Sequence, residues 1–192
     1  MSDSMRRYWR LDETTASVRF SVRHLLISRT EGRFGRFTGA LAFAEDAPET
    51  AEVEVHIDAG SIDTRDRLRD NELREFLGVA QYPEILFRAT RVTRGRGGRR
   101  YRMSGHLTVR DVTREVHLDV EDRGRSRTLS APAGEEAHFA ARTTIDRRDF
   151  GLRWNRLVET GGVLVGDQIE VEITVRAVAV MDRTAAGFRS EG

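Results

Sequence analysis

The sequence predicts an all-β fold, either an antiparallel sandwich or a barrel. Hydrophobic residues recur with a period of two over most of the chain, which is the pattern of half-buried strands. The connections between these runs are short and rich in turn residues, so the strands lack crossover helices and are expected to run antiparallel. The clearest run spans Glu52 to Asp58, where Val53, Val55 and Ile57 alternate with polar or charged residues.

The same alternation predicts the other strands. Their inward positions are, in chain order, Ala16, Val18, Phe20 and Val22; Gly39, Leu41 and Phe43; Met103, Gly105, Leu107 and Val109; Val116, Leu118 and Val120; Phe139, Ala141, Thr143 and Ile145; and Ile169, Val171, Ile173, Val175 and Ala177. Arg110 and Asp111 separate two of these runs at the spacing of a β-hairpin, and Asp111 tolerates the positive φ that such a turn requires. The two flanking strands should therefore pair directly.

One segment, Arg65 to Leu77, has a helical period. Its apolar side carries Leu68, Leu73, Phe76 and Leu77. Asp63 or Thr64 is expected to cap its start and Gly78 its end. In an all-β chain such a helix must cover the sheet or an open end of a barrel. The pattern near His24 to Ser28 indicates a second short helical turn.

Length and composition indicate one folded domain. The chain has 192 residues, of which 39% are hydrophobic and 33% charged, and nothing in its middle has the composition of a linker. Periodicity ends near residue 182. We therefore expect a domain over residues 1–182 and a flexible tail over residues 183–192.

The charge balance argues against a nucleic-acid partner. All 32 basic residues are arginines, and 31 acidic residues leave a net charge of +1. Such a chain has no net positive field to attract a polyanion. The arginine-rich stretch from Arg91 to Arg102 contains three glycines and lies between two strand patterns. An exposed hairpin loop is expected there.

Several classes of site are not expected. The absence of cysteine excludes disulfides and thiolate chemistry. The five histidines show no pairing at metal-ligand spacing, and no motif for a serine nucleophile, P-loop or dinucleotide is present. The start of the chain has no apolar signal segment, and no run approaches the roughly 20 apolar residues of a membrane span. We expect a cytoplasmic protein with at most transient membrane contact.

Several segments, taken in order, resemble the YceI family of lipocalin-like proteins. The most specific, SIDTRDRLRDNELREFLGVAQYPEILF at Ser61 to Phe87, is similar to the family's Ser-X-X-Thr, Arg-Asp-X-X-Leu and Tyr-Pro-X-X-X-Phe signature. Supporting segments are FSVRHL, EGRFGRFTGAL, GHLTVRDVT, DFGL and GDQIEVEI. The chain departs from the family at Asp111, where glycine is common, and at Arg123 to Gly134, which is expected to be a long polar linker.

The resemblance implies an eight-stranded antiparallel lipocalin-like barrel with one or two short helices near its mouth. It also implies a homodimer and an interior that takes a polyisoprenoid lipid, such as a prenyl quinone or prenyl phosphate, with no other cofactor. Eight strands enclose just enough space for side chains or one slender ligand.

The apolar candidates for ligand binding fall into two groups. Inward-facing apolar candidates are Phe20, Leu41, Phe43, Phe87 and Leu107. Candidates near loops or element ends are Phe34, Phe37, Phe76, Phe150 and Trp154, and Leu73 on the apolar side of the helix is a further candidate. The inward-facing residues would equally form an ordinary packed core.

Polar residues are needed to recognise the lipid head group, because burial of the hydrocarbon tail barely distinguishes one lipid from another. His24, Arg69 and Asp70 are assigned to head-group recognition, with Arg69 offering a planar fork to phosphate oxygens. Arg69 and Asp70 could instead anchor the helix, and His24 could be structural. Two other functions stay open: an enzyme acting on an isoprenoid-like substrate through His24 and Asp70, and a dimeric stress or interaction protein with an incidental cavity.

Overall fold

A computed structural model describes residues 6–24, 28–44, 46–129, 134–153 and 165–189. The strands in these ranges are β1 (Arg7–Leu11), β2 (Ser17–His24), β3 (Ser28–Phe34), β4 (Phe37–Phe43), β5 (Glu52–Asp58), β6 (Ile62–Asp63), β7 (Glu84–Arg94), β8 (Arg100–Val109), β9 (Val112–Arg127), β10 (Glu135–Asp146) and β11 (Val165–Val180). The α-helices are α1 (Arg67–Phe76) and α2 (Arg183–Ala186), and short 3-10 turns span Pro48–Thr50, Ala59–Ser61 and Arg147–Phe150.

Eight of these strands form a closed antiparallel barrel. They pair in the order β1-β4-β5-β7-β8-β9-β10-β11, and β1 then pairs with β11 to complete the ring. At the closure Trp9 lies opposite Ala179 on one side and opposite Leu41 on the other. The eight-stranded antiparallel barrel that the family resemblance implies is confirmed.

The long strand β11 pairs with two strands along one edge. Its residues Ile169 to Thr174 pair with β2, and Ala177 to Val180 pair with β1. Beyond the ring, β2 continues the sheet to β3 and β6. The helix α1 follows β6, and Arg74 ties the two together by donating to the carbonyl oxygens of Gly60 and Ile62.

The interior divides into two parts along the barrel axis. Near α1 the space is filled by a packed cluster that includes Ile62, Leu77, Ile85, Val109 and Phe150. The second cluster surrounds Trp9, which is fully buried and stacks on Phe43 with ring centroids 5.7 Å apart. Its members are Trp9, Leu11, Val18, Phe37, Leu41, Phe43, Ala137, Ala177 and Ala179.

Three local predictions differ from the structure in detail. The hairpin between β8 and β9 forms as expected, but the positive φ falls on Arg110 (58°) rather than on Asp111. The N-cap of α1 is Asp66, whose carboxylate accepts from the backbone N–H groups of Leu68 and Arg69. The prediction that a linker begins at Arg123 is wrong, because strand β9 continues to Arg127. Residues 25–27, within the second helical turn suggested by the sequence, lie outside the described residues.

The C-terminal segment from residue 183 packs on the barrel instead of extending from it. Asp182 caps α2, and Ala186 packs with Ala40 and Val180. The backbone N–H of Arg189 lies 3.4 Å from Glu54 Oε1, and its guanidinium bonds Glu84 at 2.8 Å. Residues 183–189 of the expected tail are therefore in contact with the barrel, and residues 190–192 lie outside the described residues.

This segment helps to bury a polar pair on the outer face of β5. His56 Nε2 lies 2.6 Å from Glu54 Oε1, and both side chains are buried. Burial by itself raises the pKa of Glu54. The hydrogen bonds from His56 and the Arg189 N–H, with the charge of Arg88, outweigh it and hold that pKa below its usual value.

Gly105 provides a test of the barrel packing. A Cβ at this position would lie 2.5 Å from the Phe87 ring and 2.6 Å from the Arg88 carbonyl oxygen. Because the backbone cannot yield easily, Gly105→Ala should lower the free energy of unfolding by about 1–3 kcal/mol, measured by chemical denaturation. Gly35→Ala is the matched control, since its Cβ would approach nothing closer than 3.7 Å. Equal losses in the two variants would contradict this packing.

Candidate functional site

A cavity of about 360 Å³ lies inside the barrel, at the end opposite α1. Its wall is formed by the second half of β4, the first half of β5 and the facing parts of β7 to β11. The lining residues are Leu41, Phe43, Ala44, Pro48, Ala51, Val53, Val55, Phe87, Val92, Arg99, Tyr101, Met103, Leu118, Val120, Asp122, Gly124, Arg125, Phe139, Ala141, Ile173 and Val175. The volume is within the usual range for small-molecule sites.

The cavity is apolar at its floor and polar at its rim. Phe87, Leu118 and Ala141 line the floor and also belong to the packed cluster next to α1. The charged lining residues, Arg99, Asp122 and Arg125, all lie at the other end. A molecule with a hydrocarbon tail and a polar end would fit this gradient along the barrel axis.

A β-bulge in β9 brings Asp122 and Arg125 to the same face of the strand. In the pairing of β9 with β10, Asp122 lies opposite Phe139 and Gly124 lies opposite His138. The adjacent residues Phe139 and His138 thus face two residues that are separated by Arg123, which is the extra residue of the bulge. Gly124 has a φ of 103°, which favours glycine. In a regular strand Arg125 would point outwards if Asp122 pointed inwards, so the bulge is the reason that both line the cavity.

Arg125 is held in place by one ion pair and three aromatic rings. Its Nη1 donates to Asp122 Oδ1 at 2.9 Å, and its guanidinium carbon lies 5.6, 5.2 and 5.1 Å from the ring centroids of Trp9, Phe43 and Phe139. Ring faces attract cations, which offsets part of the cost of removing the guanidinium from water. The guanidinium group is therefore fixed at the rim of the cavity.

Arg99 extends from the hairpin between β7 and β8. Its carbonyl oxygen accepts from the Asp122 N–H at 2.8 Å, which fixes its backbone against β9. Its Nη2 lies 2.9 Å from the point where a Cβ of Gly124 would stand. The arginine-rich stretch is a hairpin, as the sequence predicted, and one of its arginines reaches the cavity.

The structure places three of the apolar candidates on the cavity wall: Leu41, Phe43 and Phe87. Seven others lie in the packed clusters: Phe20, Phe34, Phe37, Leu73, Phe76, Leu107 and Phe150. Within this group Phe20 packs on Phe34 with ring centroids 5.6 Å apart. Trp154 lies outside the described residues.

Arg69 and Asp70 lie away from the cavity and bond to Thr64. Asp70 is buried, and its Oδ1 accepts from the Thr64 N–H at 2.8 Å and from Thr64 Oγ1 at 2.6 Å. Arg69 donates to Thr64 Oγ1 at 2.8 Å and to its carbonyl oxygen at 3.0 Å. This geometry matches the helix-anchoring alternative. His24 is the last residue of β2, and nothing further is described of its side chain.

The charged rim residues were missed from the sequence. Asp122 continues the inward alternation of Val116, Leu118 and Val120, but Arg125 is out of phase with it. Gly124, a glycine next to a strand pattern, was the available signal, because such a residue often marks a bulge. The polar composition of Arg123 to Gly134 indicates a linker instead.

A second depression, of about 560 Å³, lies on the outer face of β8 to β11. Two ion pairs cross it, Arg142 with Glu172 at 3.4 Å and Arg102 with Asp119 at 3.8 Å. Among the described residues no group of histidine and carboxylate side chains could hold a metal ion, and no helix is long and apolar enough to cross a membrane.

Comparison with known proteins assigns the fold. The family model described as YceI-like domain matches residues 9–177. A UPF0312 protein of Staphylococcus aureus (strain N315) is 29% identical over 163 residues, which cover 84% of this chain and 91% of that protein.

Solved structures with low sequence identity share the architecture. Burkholderia cenocepacia BcnA has a TM-score of 0.74 at 18% identity, with 88% of this chain and 99% of that chain covered. A polyisoprenoid binding domain from Saccharophagus degradans, implicated in plant cell wall breakdown, has a TM-score of 0.63 at 16% identity, with 92% and 100% covered.

The role of Asp70 can be tested by substitution. Asp70→Ala leaves the buried Thr64 N–H without its acceptor, so the free energy of unfolding should fall by about 1–3 kcal/mol in urea denaturation. Glu72→Ala removes an exposed carboxylate from the same helix and should change it by less than about 0.5 kcal/mol. An Asp70→Ala protein as stable as the control would contradict the anchoring role.

Proposed function

The chain belongs to the family of YceI-like domains, and from this premise we propose that it binds an isoprenoid or similar amphiphilic lipid inside the barrel, for storage or transport. The observation that carries the proposal is the apolar cavity with its charged rim. The structural similarity to a polyisoprenoid binding domain supports the same class of ligand. The expected ligand is a prenyl quinone or a prenyl phosphate.

The cavity volume limits how much of a lipid it can shelter. At about 30 Å³ for each water-sized group, 360 Å³ accommodates about a dozen methylene-sized groups. Burial of roughly 0.8 kcal/mol per methylene then provides on the order of 10 kcal/mol before the entropic cost of binding. A tail of about 12 carbons fits by this measure, since each carbon is about one such group. A longer tail must extend beyond the rim.

Three further properties belong to this proposal. A homodimer is expected from the family resemblance, and a cytoplasmic location with transient membrane contact from the sequence. Lipid exchange with a membrane requires only that the rim approach its surface, because the cavity opens at that end.

Extraction of the purified protein is the direct test. Organic extraction followed by mass spectrometry should return a prenyl lipid in an amount comparable to the protein. Conversion of that lipid on incubation with the protein would assign an enzyme instead. A protein that carries no lipid and binds none when it is offered would leave the interaction-protein alternative.

A variant that fills part of the cavity tests where the ligand binds. Ala141 lines the cavity, whereas its neighbour Ala140 points to the other face of β10. Ala141→Phe displaces at least two methylenes of ligand, so the affinity for farnesol should fall about tenfold or more in isothermal titration calorimetry. Ala140→Phe is the control and should bind like the unmodified chain. Unchanged farnesol affinity in a folded Ala141→Phe protein would place the ligand elsewhere.

A further inference from the structure

We infer that the rim of the cavity is an anion-binding site, so that the preferred ligand is a prenyl chain ending in a phosphate rather than a neutral prenyl alcohol or quinone. The inference rests on the proposed function and concerns the head group alone. Arg99 and Arg125 are the residues that would bind it. Neither is among the residues that the sequence predicts for head-group recognition.

The charge of the lining residues favours an anion. The cavity is lined by two arginines and one aspartate, and its other lining residues are uncharged. Asp122 is paired with Arg125. In the described part of the chain Arg99 has no carboxylate within ion-pair distance, so the rim carries one uncompensated positive charge. An anion at this position would neutralise it in surroundings less polar than water, where such attraction is strong.

The positions of the two guanidinium groups favour a single small anion between them. Arg125 Nη1 lies 3.2 Å from the Gly124 carbonyl oxygen, and Arg99 Nη2 approaches the same residue from the hairpin side. Both groups are therefore next to Gly124, which has no side chain to fill the space. Two planar forks can donate several hydrogen bonds to the oxygens of one phosphate, whereas an alcohol or a quinone carbonyl accepts few.

The two arginines differ in the number of contacts that hold their side chains, which suits ligand capture. Arg125 is fixed by its ring contacts and by Asp122. Arg99 is exposed and follows Gly97 and Gly98, whose φ angles of 99° and 76° are typical of a turn. Its side chain is free to adjust to the anion, while its backbone stays bonded to Asp122. The tail would then extend from the rim to the apolar floor.

The test compares two ligands with the same tail. Farnesyl phosphate and farnesol each have one prenyl chain of 15 carbons and differ in the head group. The unmodified protein should bind farnesyl phosphate about tenfold or more tightly than farnesol in titration calorimetry. Arg99→Gln should reduce this preference severalfold, because it should weaken the binding of farnesyl phosphate more than that of farnesol. Arg96→Gln is the matched control, because it removes the same charge from the same hairpin at a residue that does not line the cavity.

The possible outcomes distinguish failure of the proposed lipid binding from failure of the anion site. If neither compound binds, the proposed function fails. If both bind with equal affinity and Arg99→Gln has no effect, lipid binding stands and the anion site is overturned. A loss of preference as large in Arg96→Gln as in Arg99→Gln would assign the effect to diffuse charge and also overturn the site. Inorganic phosphate at millimolar concentration should not displace farnesyl phosphate; efficient displacement would show a site for free phosphate instead.

Discussion

Closure of the barrel depends on the way β11 divides its edge between two strands. Its first half pairs with β2 and its second half with β1, and the second pairing completes the ring. At that level the inward residues of β10 and β11 are small: Ala137, Ala177 and Ala179 are all buried. These alanines leave room for the Trp9 indole, and Trp9 in turn supplies one of the rings around Arg125. The same hydrogen bonds that close the sheet thus position part of the rim.

The two ends of the barrel have different interiors because different segments cover them. At one end α1 and the β2-β3-β6 extension add apolar side chains such as Leu73, Phe76 and Ile62, which fill the available space. At the other end hairpins and strand ends form the rim, and they contribute arginine and aspartate instead. A protein interior is normally packed to the density of an organic crystal, so a cavity persists only where no segment supplies the missing side chains.

Much of the architecture could be predicted from local patterns. The alternation at Val53, Val55 and Ile57 identified β5, and the two-residue spacing at Arg110 and Asp111 identified a hairpin, because both depend on neighbouring residues alone. The ring order and the pairing of β1 with β11 depend on residues more than 160 positions apart, such as Trp9 and Ala179, and no local period shows them. The number of strands therefore came from family resemblance.

The site was harder to predict, because its lining also depends on contacts that no local period shows. Leu41, Phe43 and Phe87 line the cavity, but inward alternation cannot distinguish them from Leu107 or Phe20, which are packed. The family signature drew attention to Arg69 and Asp70, whereas the charged rim comes from Arg125, which a bulge places out of phase, and from Arg99, in a hairpin. A single extra residue in a strand changes which side chains face inwards, and period-two reasoning fails at that point.

If the barrel holds a prenyl chain as proposed, the limited volume of its cavity would make it selective for chain length. A bilayer gains free energy with every carbon of a prenyl chain, whereas the protein gains nothing more once about a dozen carbon-sized groups are enclosed. Short chains would partition towards the protein and long chains towards the membrane. The direction of net lipid transfer would then follow from the length of the cargo, without any conformational switch in the barrel.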